Sequence, residues 1–298
     1  MKKNFTHWST WKIYICIPNS KLTIYCLKLI HFYSRFRYSS IPGISYRIAN
    51  QSRYDDVQNL LYNNFHVDEP MSNALNMYDG INRSAILNQF AIDGLNENMS
   101  IIAIDEKTDK LLGVCINQTA QPSNLDPETE LQKYLKEYDD PKFGHILRVL
   151  HGVNQNAGDL FKAYDTNIFF DIKMLATDKN NRKGGLAKDL LQRSVMLAKV
   201  LGFNVIKTEA TGKWSCFKVS MLAFIQYITI QWYHSTQFSV LGLYSRKAFE
   251  RIGFHVNAEY LYSDYKDEES GEQIFATAVD PHRCVTLMTK QLSDKEHI

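Results

Sequence analysis

Apolar residues fall into regular spacing from about residue 45 onward. The segment ISYRIA (44–49) alternates and predicts a strand. Val57, Leu60, Leu61 and Phe65 share one face of a predicted helix over 53–65. Glu69-Pro70 stops that helix, because proline disfavours helical geometry in the residue before it. A second helix is predicted over 83–95. Two apolar runs, MSIIAIDE (99–106) and KLLGVCINQ (110–118), flank Lys107-Thr108-Asp109 and predict a hairpin. Charged helical patterns follow at 127–138 and 141–163. The segment NIFFDIKMLATD (167–178) predicts a long strand, Arg182–Leu201 a helix behind a Gly-Gly turn, and FNVIKTEA (203–210) another strand. A short helix at 244–254 closes on Gly253, and strands are expected near 255–263 and 283–290.

Strands alternating with helices in the second half predict an α/β (α+β) fold, with a mixed sheet covered by helices on both faces. No internal repeat is visible.

The net charge of +2 hides an asymmetry. Residues 1–40 carry +7, which leaves −5 for residues 41–298. An acidic body argues against a nucleic-acid surface and suits either a cationic small substrate or a plain solvated exterior. No uninterrupted apolar run is long enough for a transmembrane helix. Lys2 and Lys3 precede only a short apolar stretch without a clear cleavage site, so no signal peptide is expected. The cysteines Cys16, Cys26, Cys115, Cys216 and Cys284 are scattered and contain no CxxC pair. Reduced thiols in a cytoplasmic protein are the expectation, with no disulfide framework and no metal site. His66, His145, His151 and His255 lack ligand spacing and are read as structural or exposed.

The sharpest chemical signal is Arg182-Lys183-Gly184-Gly185-Leu186-Ala187, between a strand ending at Thr177 and a helix. Glycines let backbone N–H groups approach a phosphate, and the helix N-terminus adds partial positive charge. Arg182, Lys183 and Lys188 add formal charge. The segment is neither GxxxxGK[ST] nor GxGxxG, and on its own it reads equally as an ordinary strand-to-helix turn.

Arg182-x-x-Gly185-x-Ala187 resembles the R/Q-x-x-G-x-G/A pyrophosphate loop of GNAT acetyltransferases. Phe65-x-x-Asp68-Glu69-Pro70-Met71 resembles the F-x-x-D-E-P-L signature of the insect arylalkylamine N-acetyltransferases. Pro141-Lys142-Phe143, followed by Ile146-Leu147, is similar to a further stretch of that family. The resemblance spans about residues 45–212 and 243–291.

It implies a GNAT fold in which two parallel strands, 170–177 and 203–210, splay apart around acetyl-CoA. Leu175, Ala176 and Thr177 would pair with the pantetheine amides, and Arg182, Lys183, Gly184, Gly185, Leu186, Ala187 and Lys188 would hold the pyrophosphate. Glu69 would be the general base for the amine, although its bare sequence context reads as a helix-end carboxylate. Asp68 is expected to support the local fold. Ser245 and Thr211 match two family serines near the thioester; either could bond the leaving thiolate or simply cap a helix. Relatives outside the insect group carry a tyrosine acid where this chain has Phe249, so the acid is left open. Phe65, Tyr78 and Phe143 are read as core or as walls of an aryl pocket.

The implied activity is acetyl transfer to arylalkylamines such as dopamine, tyramine, octopamine or serotonin, by a monomer with no metal, nucleic-acid or membrane partner. Polyamine or agmatine acetylation, or a catalytically impaired CoA-binding domain, are the alternatives. The domain is expected to run over 41–298, with residues 1–40 a disordered extension outside the family pattern. Lys213–Gly242 interrupts that pattern, since its deletion restores EATG-LYSRKAFERIGF. The insert has no acidic residue and little turn chemistry. It reads as translated intron, since Gly212-Lys213-Trp214 can be encoded around a GTAAGT donor, or else as a lineage-specific loop.

Overall fold

The computed structural model describes residues 41–77, 84–182, 184–211, 245–278 and 282–292. Expectations for residues 1–40, Tyr78, Lys183 and Lys213–Gly242 lie outside the described residues.

The chain opens with β1 (Ile44–Ile48), then α1 (Tyr54–Asn64), the short α2 (Pro70–Ala74) and α3 (Ala85–Leu95). β2 (Ile101–Asp105) and β3 (Leu111–Ala120) form the expected hairpin. α4 (Pro127–Tyr138), α5 (Pro141–Ala157) and the one-turn α6 (Leu160–Ala163) follow. The predicted helix over 141–163 is therefore split. Gly158 at φ 69° ends α5, and the Asp159 carboxylate caps α6 through the Lys162 N–H. Then come β4 (Phe169–Thr177), α7 (Leu186–Val200), β5 (Val205–Ala210), α8 (Ser245–Arg251), β6 (His255–Leu261) and β7 (Cys284–Gln291).

The strands form one seven-stranded sheet ordered β1-β2-β3-β4-β5-β7-β6. β4 and β5 pair in parallel, while the other neighbours are antiparallel. The parallel step is possible because α7 carries the chain back across the sheet. One face packs Phe170, Ile172 and Ile206 against Leu186, Leu190 and Leu197 of α7. The opposite face packs Ile102, Val114 and Met174 under Val57 and Leu61 of α1 and Ala91 and Leu95 of α3. A third cluster joins Met71 of α2 and Phe143 and Val149 of α5 to Val285 and Leu287 of β7. Burying each of these large apolar side chains contributes about 1.5–3 kcal/mol before conformational entropy is set against it.

Candidate active site

β4 and β5 are hydrogen-bonded only through Phe170↔Ile206, Asp171↔Lys207 and Ile172↔Thr208. Beyond that point β4 stays with β3, pairing Leu175 with Cys115, Ala176 with Val114 and Thr177 with Gly113. β5 stays with β7, pairing Glu209 with Leu287 and Ala210 with Thr286. The two strands therefore separate toward their C-terminal ends. Leu175, Ala176 and Thr177 have no β5 partner and line the resulting cleft. The cleft belongs to a cavity of about 1660 Å³, which also takes in Glu69, Thr211, Arg182 and residues 185–188.

Gly185 is the N-cap of α7, at φ 88° and ψ 0°. A side chain there would meet nothing within 4 Å, so the left-handed backbone is what calls for glycine. The helix thus begins at Leu186, four residues later than the sequence pattern suggested, and Arg182 to Gly185 form the loop before it. Among the described residues no side chain caps this N-terminus, so its first N–H groups lack a partner from the helix or from a cap. That geometry, with open space at Gly185, fits a pyrophosphate.

Arg182 does not point freely from that loop. Its guanidinium donates to the Asp68 carboxylate at 2.9 Å, to the Asn64 carbonyl at 2.8 Å and to the Thr177 carbonyl at 3.3 Å. Asp68 thus anchors local structure.

Glu69 is the N-cap of α2, with Pro70 at the first helical position. Its two carboxylate oxygens accept from the N–H groups of Met71 at 3.2 Å and Ser72 at 2.6 Å. The side chain is largely buried yet lines the cavity. Proline stops the preceding helix and also fixes the turn that aims this carboxylate. The helix-end reading of Glu69 is therefore correct as local structure, and it is compatible with a second role, since each carboxylate oxygen keeps a further lone pair.

Thr211 follows β5, and its carbonyl accepts a hydrogen bond from the Tyr262 hydroxyl at 3.0 Å. Ser245 is the first residue of α8, and its side chain lies outside the described part. Phe249 is buried against Phe254, with ring centroids 5.0 Å apart. Sequence reasoning missed Tyr262. It is fully buried, and burial together with the charge of Glu69 pushes its hydroxyl well above its ordinary range, so it stays a donor.

Sequence reasoning also missed a charged cluster on the cleft floor. Asp171, Lys207 and Glu209 all line the cavity. Lys207 pairs with Glu209 at 2.7 Å, and Asn154 of α5 donates to Glu209 at 3.2 Å. Burial works against charge on Lys207, but Glu209 and Asp171 outweigh it and hold the ammonium above its ordinary range. Burial and then Glu209 push Asp171 up to about 6. The signal was present: Lys207 and Glu209 alternate in VIKTEA, and Asp171 breaks an apolar strand.

Phe143 belongs to an edge-to-face trio with Phe90 and Tyr138, at centroid distances of 5.2 to 5.8 Å. All three line the cavity, as does Phe65. His66 is buried beside Phe65. Among the described residues no group of three or more His, Cys, Asp or Glu could hold a metal ion. No helix among them is long and apolar enough to cross a membrane. Cys115 is a buried thiol.

A mixed sheet opened between two parallel strands, with a glycine loop and helix N-terminus at the opening, defines a GNAT N-acetyltransferase. No protein-family model matches the chain. Among solved structures, arylalkylamine N-acetyltransferase 2 from Aedes aegypti is 30% identical with a TM-score of 0.68, the match covering 84% of this chain and 100% of the mosquito protein. The chain belongs to the insect arylalkylamine N-acetyltransferase family. A mosquito arylalkylamine N-acetyltransferase-like 5b (22% identity, TM-score 0.65) and a Drosophila melanogaster polyamine N-acetyltransferase (16%, 0.63) share the fold. Both matches cover 84% of this chain and 100% of the other.

Proposed function

We propose that this enzyme transfers an acetyl group from acetyl-CoA to the primary amine of an arylalkylamine, with Glu69 as general base. The observation that carries the reading is Glu69 itself: a largely buried carboxylate, fixed by two backbone N–H groups, on the wall of the cavity that the β4–β5 gap enters. The backbone of Leu175 to Thr177 would hold the pantetheine arm, and the loop from Arg182 to Lys188 the pyrophosphate. Within that loop Arg182 would act by fixing the turn, while Gly184, Gly185 and the first N–H groups of α7 meet the phosphates. Acetyl-CoA supplies the activated acyl carbon as a thioester. Glu69 removes a proton from the substrate ammonium, the nitrogen forms the new C–N bond, and the C–S bond breaks. Thr211 or Ser245 would donate to the departing thiolate.

The aromatic wall of Phe65, Phe90, Tyr138 and Phe143 supports a flat aryl substrate. A polyamine reading has its own observation, because Asp93, Glu97, Glu130 and Glu137 also line the cavity. Two of these are already engaged. Asp93 accepts from Tyr138 and Gln89, and Glu97 accepts from Thr119. The aryl reading is therefore preferred.

We further propose that residues 41–298 form one catalytic domain whose family pattern omits Lys213–Gly242. One experiment tests both proposals: acetyl-CoA-dependent thiol release with arylalkylamines, agmatine and spermidine, on the full chain and on one lacking Lys213–Gly242. Turnover of arylalkylamines only by the shortened chain supports both. Turnover by both chains makes the segment a tolerated loop. Turnover confined to agmatine or spermidine overturns the aryl assignment, and turnover by neither chain points to a CoA-binding protein without catalysis.

A further inference from the structure

β4 contains one residue that neither neighbouring strand takes up. Its register with β3 jumps from Ile116↔Met174 to Asn117↔Ile172, and its register with β5 ends at Ile172↔Thr208. Lys173 is therefore the extra residue of a bulge, placed at the fork where the cleft begins. Its side chain lines the cavity. The stem passes Gly94 of α3, where an added Cβ would stand 3.3 Å from Lys173 Cδ. The nitrogen sits over the Phe90 ring, 3.6 Å from its centroid.

Other lysines of the cavity are placed differently. Lys207 is ion-paired to Glu209 at 2.7 Å and held charged. Lys179 and Lys188 are exposed and lie at the glycine-loop end. The Lys173 nitrogen rests on a ring face instead of a carboxylate. Burial lowers its hold on a proton, and the opposing charges of Asp171, Asp93, Glu97 and Glu209 only partly restore it. More of its amine is neutral, and so nucleophilic, than in an exposed lysine. The cofactor's course points its acyl end at this residue. With the pyrophosphate at 185–188 and the pantetheine arm running from Thr177 to Leu175, the next position along β4 toward the fork is that of Lys173.

Resting on the placement of acetyl-CoA proposed above, we infer that Lys173 is a self-acetylation site, modified by the bound cofactor when no amine occupies the cavity. The ammonium first gives one proton to water. The nitrogen then forms a C–N bond to the thioester carbon and the C–S bond breaks. The thiolate takes the second proton from that nitrogen and leaves as CoA thiol. The product is an amide, neutral and bulkier than the amine it replaces. It remains in the cavity through which an acceptor must enter, so the modified chain is a slower enzyme.

The test is mass spectrometry with peptide mapping on the full chain, incubated with acetyl-CoA and no amine. Lys173 is expected to gain an acetyl group about 10²-fold or more faster than any exposed lysine, because the transfer is intramolecular. Its rate should saturate with acetyl-CoA and stay constant as the protein is diluted. The preference should vanish in the chain unfolded in urea, a comparison that needs no variant. Lys173→Arg keeps a cation over Phe90 and removes the acceptor, so its peptide should stay unmodified; CoA binding by calorimetry reports that the variant is folded. Labelling of Lys173 no faster than that of exposed lysines, or equally fast in the unfolded chain, overturns the site. The thiol-release assay with arylalkylamines, run in parallel, keeps the two readings apart. Amine turnover with Lys173 unmodified overturns self-acetylation and leaves the arylalkylamine reading in place. Acetylated Lys173 without amine turnover in either chain supports self-acetylation and overturns that reading, and neither product overturns both.

Discussion

Arg182 donates to the Asp68 carboxylate across 2.9 Å, and so ties the glycine-rich loop to the turn that presents Glu69. The same guanidinium also bonds the carbonyls that end α1 and β4, at Asn64 and Thr177. One side chain thereby fixes three segments that meet at the cleft. Both partners of the ion pair are largely shielded, with side-chain exposures of 15% and 25%, so the interaction is not a screened surface pair.

Arg182→Lys retains the charge but cannot reproduce a planar fork reaching three acceptors. It is expected to cost about 2 kcal/mol of stability in denaturant titration and to weaken both CoA and amine binding. Asp68→Asn combined with Arg182→Lys should cost less than the sum of the two single changes, because they share one interaction. Strict additivity would mean that the pair contributes nothing through its contact.

Glu69 carries two duties that substitution can separate. Glu69→Gln keeps an oxygen for the α2 N–H groups but cannot accept the ammonium proton. Its kcat is expected to fall by about 10²–10⁴, with stability lowered by at most about 1 kcal/mol. Glu69→Ala should match that kcat and lose further stability by removing the cap. Wild-type turnover in Glu69→Gln would leave Glu69 as a cap alone.

Gly185 sits at φ 88° with open space around it. Gly185→Ala therefore meets no clash and pays only for the left-handed backbone, about 1–2 kcal/mol. If the chain relaxes instead, the first N–H groups of α7 turn away from the loop. CoA affinity, measured by calorimetry, is expected to drop while amine affinity at saturating CoA changes little. An unchanged CoA affinity would place the phosphates elsewhere.

The framework was legible because periodicity and punctuation agree along most of the chain. β2 and β3 read as a hairpin from two apolar runs around Lys107-Thr108-Asp109, and the sheet pairs them so. The glycine loop read as a strand-to-helix turn, but sequence shows charge and not geometry, so the bonds from Arg182 to Asp68, Asn64 and Thr177 were not visible in it. The α5–α6 break at Gly158 was missed because the apolar spacing continues across it. Asp171, Lys207 and Glu209 were passed over for a related reason. Each sits inside a strand pattern, and only the separation of β4 from β5 turns that face into a cavity wall. Tyr262 lies 51 residues from the carbonyl it bonds, a pairing that spacing cannot reveal.

His66 makes stability depend on pH in a definite direction. Burial lowers its imidazole from 6.5 to about 4, so the folded chain holds it neutral. Between those values the unfolded chain binds the extra proton, and stability falls as pH drops from about 6.5 to about 4, by about 3 kcal/mol from this group. Asp171 acts oppositely. Burial raises its folded value to about 6, so over much of the same window its contribution weakens as pH rises. His66→Leu isolates the first effect: chemical denaturation of the variant should lose less stability than wild type between pH 6.5 and pH 4.5. Parallel curves would mean that the ring is solvated and charged in the fold.

The Lys207 ammonium offsets two carboxylates at once. Burial alone would raise Glu209, but Lys207 and its hydrogen bond outweigh burial and hold Glu209 below its ordinary range. Lys207→Met keeps the side-chain length and removes the charge, leaving Asp171 and Glu209 together on the cleft floor. At neutral pH the variant is expected to lose about 3 kcal/mol, because an unpaired buried charge costs more than the pair itself contributes. Protonating either carboxylate relieves that repulsion, so the variant should regain stability relative to wild type as pH falls toward 5. Wild type moves the other way as far as Glu209 is concerned, since that group's contribution is present above its unfolded value and fades as pH falls through the lower folded one. The gap between the two denaturation curves should therefore narrow with acid. A gap that stays constant with pH would mean that Lys207 acts through its methylene packing and not through its charge.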